Sequence, residues 1–129
     1  MKRNKRLLLK TAKRIEEVPE SYNQFIWGGD DDSSPCGTVA CLAGEIVICS
    51  EPTIKRGLAK LYKTMRTAEY VDGTAERLAG LTHAEGTRLF YNPTCWPNRI
   101  GVRFGSKGEK KRAEAAAALL RYLADGGKV

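Results

Sequence analysis

Apolar residues recur at helical spacing from the start of the chain. Leu8, Ala12, Ile15 and Val18 fall on one stripe that Pro19 ends, which predicts a helix over residues 4–18. Tyr22, Phe25, Ile26 and Trp27 form an aromatic plug before the break at Gly28-Gly29 and the acidic run Asp30, Asp31, Asp32. Ser34 as N-cap and Pro35 at the first helical position then open a second helix, apolar nearly all round as far as Cys49. With so little polar face it is expected at the centre of the domain, where Glu45 needs water or a partner. Ile54, Leu58, Leu61, Tyr62 and Met65 predict a third helix, with Lys55, Arg56, Lys60, Lys63 and Arg66 on its other faces.

Asp72 is a cap for a short helix that Gly80 stops in the left-handed conformation. Thr82 and Glu85 then form a capping box for the next helix, which Asn92-Pro93 closes. Ile100, Val102 and Phe104 alternate, as in a short edge strand near 99–104. A last helix over 109–124 carries Ala113, Ala116, Ala117, Leu120, Leu123 and Ala124 on one stripe and stops at Gly126-Gly127. The sum is an all-α fold, a bundle of about six helices around the apolar helix 35–49. The whole chain, 1–129, is expected to be one domain with a basic N-terminal arm or helix over 1–18.

Composition narrows the class. With 129 residues and 42% hydrophobic content the chain can bury one core. It has no apolar run near the roughly 20 residues of a membrane helix, so no membrane partner is expected. The start resembles a signal peptide only in its basic lead, since Leu7, Leu8 and Leu9 alone stand in for an apolar region of about 7–15 residues. A cytoplasmic location is therefore expected, with Cys36, Cys41, Cys49 and Cys95 reduced.

The run Cys36-Gly37-Thr38-Val39-Ala40-Cys41-Leu42-Ala43-Gly44 resembles the C-G-T-x-x-C-x-A-G signature of a family of small uncharacterised bacterial and phage proteins. Phe25 to Trp27, Ala79 to Thr82 leading into Leu89-Phe90, and Trp96-Pro97 are similar to the rest of that family's layout. The chain departs from it at Glu45, where an aromatic residue is common. The resemblance implies a bacterial or phage accessory protein, with a binding or inhibitory role ahead of a housekeeping enzyme.

Candidate chemistry is sparse. Structural zinc wants paired ligands such as C-x-x-C, whereas Cys36 and Cys41 are five apart and lie in apolar sequence, so no metal and no cofactor are expected. Cys36, near a helix start, is a candidate nucleophile, but Asp30 to Asp32 oppose a thiolate and the single histidine, His83, sits inside a capping box. The three aspartates read as a solvated loop or a loose Mg²⁺ site.

Charge is the remaining signal. Lys and Arg total 22 against 15 Asp and Glu, a net +7. Eighteen of the 22 fall in three segments, 1–14, 55–66 and 99–112. Gly105-Ser106-Lys107-Gly108 leads into a helix N-terminus, a geometry that suits an anion although it is not a P-loop. Tyr91, Trp96 and Phe104 are candidates to stack on a base, with Trp96 better suited to plug the core.

The sequence therefore predicts a small basic binding protein, more readily non-enzymatic than an enzyme, whose ligand is a nucleotide or nucleic acid. The residues expected to grip it are Arg99, Arg103, Lys107, Lys110, Lys111 and Arg112, helped by Lys55, Arg56, Lys60 and Lys63. The alternatives are an interaction module or inhibitor docking on an acidic protein surface, and a cysteine-dependent enzyme using Cys36.

Overall fold

A computed structural model describes residues 2–19, 29–30, 38–39, 42–50, 71–91, 96–97, 100 and 109–129. Five helices lie within these residues: α1 (Lys5–Glu17), α2 (Leu42–Ser50), α3 (Val71–Ala79), α4 (His83–Tyr91) and α5 (Glu109–Ala124). The predicted third helix, 54–66, lies outside them. A two-residue antiparallel ladder sets β1 (Gly29–Asp30) against β2 (Thr38–Val39), with Gly29 opposite Val39 and Asp30 opposite Thr38.

The ladder corrects the expected start of the second helix. Thr38 and Val39, placed in that helix by the sequence, pair as a strand, and α2 begins only at Leu42. Both residues are β-branched and stiff at χ1, which favours the pleated backbone over a helix turn. Asp30, expected in a solvated loop, belongs to the same ladder. A second correction concerns Ile100. Its N–H donates to the Pro97 carbonyl at 2.8 Å in a helical turn, so this position is not extended. Pro97 promotes the turn because its ring fixes φ at a helical value. The remainder of the expected strand, 101–104, lies outside the described residues.

α1 forms as its pattern predicts. Asn4 is the N-cap, its Oδ1 accepting from the Leu7 N–H at 3.1 Å, and Leu7, Leu8, Thr11, Ala12 and Ile15 are buried. The buried stripe lies mainly against α5, then α2, with a smaller contact to α3. The N-terminal basic segment is thus a packed helix. Buried Thr11 turns its hydroxyl back onto the Leu7 carbonyl at 2.8 Å, which satisfies it inside the core.

α2 is buried at every position from Leu42 to Cys49, as its apolar circumference predicts, and packs on α3 and α1. The α3 to α4 corner matches the sequence closely. Gly80 has φ +71°, and the Leu81 N–H bonds the Glu76 carbonyl at 2.9 Å, the six-to-one bond of a Schellman stop. Thr82 and Glu85 complete the capping box, with Glu85 N–H to Thr82 Oγ1 at 3.2 Å and Thr82 N–H to Glu85 Oε1 at 2.9 Å.

α5 ends in the same way. Gly126 has φ +92°, its N–H reaches the Leu123 carbonyl at 3.1 Å, and that of Gly127 reaches Tyr122 at 2.9 Å. Its apolar face is broader than the predicted stripe, with Ala115 and Leu119 buried as well. One apolar cluster joins these helices, running from Leu7 and Leu8 through Ile46 and Leu89 to Leu123. Trp96 closes it, 2% exposed, with its indole N–H donating to the Leu89 carbonyl at 3.0 Å.

Residues 2–4 tie helix ends together. The Asn4 N–H donates to the Ala79 carbonyl at 2.8 Å and its Nδ2 to Leu78 at 3.2 Å, so two carbonyls at the end of α3 are satisfied from outside the helix. Arg3 donates to the Leu123 carbonyl at 3.0 Å, to the Gly127 carbonyl and to Glu85 Oε2 at 2.5 Å. A cation is favoured at the C-terminal end of α5 because the helix dipole is negative there. The Glu85 carboxyl is held below the usual range, first by the backbone hydrogen bond from Thr82 and then by Arg3.

Candidate functional site

The same stripe that buries one side of α1 leaves its other side to charge. Lys5, Arg6, Lys10 and Lys13 are exposed, as is Lys2 before the helix. No acidic residue occurs before Glu16, so the face is uniformly positive for its first three turns. Where acids appear they are engaged: Glu17 meets Lys13 at 3.8 Å, and Glu16 pairs with Arg121 of α5.

Beside this face a surface cleft of about 420 Å³ opens between α1, α2 and α3. Asn4, Arg6, Leu7 and Lys10 form the α1 side, Cys49 and Ser50 come from the end of α2, and Leu78 from α3. Two cations, two neutral polar groups and an apolar floor therefore share one concavity, with no carboxylate among the described residues that line it. The polar groups are already anchored. Asn4 caps both helix ends, and the Ser50 hydroxyl donates to the Val47 carbonyl at 2.7 Å.

Next to the cleft lies a buried polar cluster. Glu45, fully buried in the first turn of α2, accepts from Arg14 Nε at 2.6 Å. This is the partner that an acid in an apolar helix requires. Burial, reinforced by the nearby Glu45 charge, pushes the Cys49 thiol up to about 11. It is a protonated hydrophobe at neutral pH and no nucleophile. Iodoacetamide at neutral pH is expected to leave Cys49 unmodified in the folded protein and to alkylate it in urea, as read by peptide mapping; equal rates in both states would refute this.

Of the residues predicted to bind a ligand, Lys110, Lys111 and Arg112 are described. They occupy the first turn of α5, Lys110 and Lys111 exposed and Arg112 half-buried. Lys55, Arg56, Lys60, Lys63, Arg99, Arg103 and Lys107 lie outside the described residues, as do Cys36, Cys41 and Cys95 and the glycine-rich turn at 105–108. His83 is exposed, as its place in the capping box predicts, and meets Glu76 at 3.3 Å. Among the described residues no group of three His, Cys, Asp or Glu converges to hold a metal ion. None of their helices is long and apolar enough to cross a membrane. No protein-family model matches the chain, and no curated protein or solved structure is significantly similar to it.

Arg6 and Lys10 were not among the residues singled out by sequence. The signal was present, since they are four apart on the polar side of an amphipathic helix with no acid before Glu16. What the sequence does not carry is that α2 and α3 rise beside them to form a cleft.

Proposed function

We propose that this chain is a small, basic, non-enzymatic binding protein of bacterial or phage accessory type whose ligand is an anion, a nucleotide or a nucleic acid. The observation that supports the reading is the exposed polar face of α1, free of acids before Glu16, with Lys5, Arg6, Lys10 and Lys13 in three successive turns. Lys110 and Lys111 add exposed charge at the N-terminus of α5, where the helix dipole favours an anion. The buried, protonated state of Cys49 removes one thiol from the enzymatic alternatives.

Binding of this kind is electrostatic and weakens with salt. Contact with about four phosphates of a single strand implies a loss of roughly 50-fold in affinity between 50 and 200 mM salt. Fluorescence anisotropy with a labelled single-stranded oligonucleotide tests it. Lys110→Glu with Lys111→Glu, and Lys5→Glu with Lys13→Glu, are each expected to weaken binding at least about tenfold. No binding at low salt, or none of this loss in either variant, sinks the reading. A stoichiometric acidic protein partner recovered despite nuclease treatment would place the same surface in a protein interface instead.

A further inference from the structure

We propose that the cleft between α1, α2 and α3 binds a phosphomonoester carried on a hydroxylated ring, a ligand of the size of a sugar phosphate or a mononucleotide. The proposal rests on the anion-binding reading above and gives it a site that the sequence did not indicate.

Arg6 and Lys10 stand one helical turn apart on α1, so their side chains are neighbours. Neither has a carboxylate partner among the described residues, and none of the described lining residues is acidic. A guanidinium fork takes two phosphate oxygens at once, and an ammonium adds a mobile point charge. The two cations together match the charge of a monoester, about −1.5 to −2 at neutral pH, better than the single charge of a diester. Arg6 lies in the first turn of α1, at the positive end of that helix, which strengthens the same preference.

The opposite wall has the opposite character. Ser50 lies at the C-terminal end of α2, the negative end of the helix dipole. Its hydroxyl proton is committed to the Val47 carbonyl, so Oγ offers lone pairs to the cleft and accepts from a donor on the ligand. A ring hydroxyl supplies that donor. The two walls thus orient the ligand, with phosphate toward Arg6 and Lys10 and hydroxyls toward Ser50. Between them Leu7, Leu78 and the neutral thiol of Cys49 give an apolar floor for the face of the ring. The volume of about 420 Å³ falls within the range of small-ligand sites.

Calorimetry at low ionic strength with ribose 5-phosphate, adenosine 5′-monophosphate, ribose and inorganic phosphate tests the proposal. Both esters are expected to bind with dissociation constants below about 1 mM, and ribose to bind at least about tenfold more weakly. Arg6→Gln and Lys10→Gln should each weaken both esters at least about tenfold, while Lys128→Gln, at an exposed position elsewhere, leaves them unchanged. Ser50→Ala should weaken ribose 5-phosphate and spare inorganic phosphate. Tighter binding of the nucleotide than of the sugar phosphate identifies the nucleotide as the source of the ester, and the reverse identifies the sugar phosphate. Arg6 and Lys10 are exposed, so unchanged thermal unfolding of their variants verifies the fold.

No binding of either ester, binding of ribose as tight as that of its phosphate, or equal losses in Arg6→Gln, Lys10→Gln and Lys128→Gln would overturn the site. Parallel oligonucleotide titrations separate the two readings. Oligonucleotide binding without ester binding overturns the cleft alone, and ester binding without oligonucleotide binding overturns the broader surface reading while supporting the cleft.

Discussion

Arg14→Ala is expected to lower the unfolding free energy by about 2–4 kcal/mol, the cost of taking the half-buried cation from a fully buried carboxylate. Glu45 is fully buried, and the Arg14 guanidinium at 2.6 Å is its cation. Without that group the buried carboxylate loses its guanidinium, and either keeping its charge or taking up a proton costs stability. The pair itself need not stabilise the fold. Replacing both members with apolar residues, Arg14→Met with Glu45→Leu, should restore stability to within about 1–2 kcal/mol of the parent, because desolvation offsets much of the attraction between buried charges. Urea unfolding of the two variants measures both effects. A loss under about 1 kcal/mol for Arg14→Ala would show that the carboxylate is solvated or otherwise compensated.

The second large effect is expected at Gly80. Its φ of +71° costs any other residue about 1–2 kcal/mol. An added Cβ would also run into the Lys2 carbonyl oxygen and the Arg3 Cα, which are main-chain atoms and cannot rotate aside. Gly80→Ala should therefore cost at least about 3 kcal/mol and loosen residues 2–4 as well. Gly126→Ala is the control, since Gly126 shares the left-handed backbone but has open space around it. It should lose only the backbone part, about 1–2 kcal/mol. Equal losses in the two variants would mean that the N-terminal segment gives way freely at Gly80.

Much of this local structure was legible in sequence because its causes are local. The stripe of α1, the stop at Gly80, the Thr82 and Glu85 box and the span of α5 each depend on residues within a turn or two, whereas Asn4, expected inside the first helix, is its N-cap. The start of α2 was misplaced because Pro35 and Ser34 are good opening residues for a helix, whereas the pairing of Thr38–Val39 with Gly29–Asp30 is set by partners eight and ten residues upstream. The need of Glu45 for a partner followed from its apolar helix, but the choice of Arg14, 31 positions away, is tertiary. The same holds for the cleft. Arg6 and Lys10 belong to one helix, and only packing brings Ser50 and Leu78 beside them.

The contacts of Arg3 also bear on how the chain reaches its fold. It bonds carbonyls 120 and 124 positions ahead in the chain, and Asn4 bonds one 74 positions ahead. Such closures come late, because the loop entropy they cost is repaid only when both ends are present. During synthesis Arg3 must therefore wait for Leu123 and Gly127. A ribosome-bound chain stalled with residue 127 still in the exit tunnel has α1 made but unlatched, its apolar stripe without α5 to cover it, and in need of protection until α5 emerges.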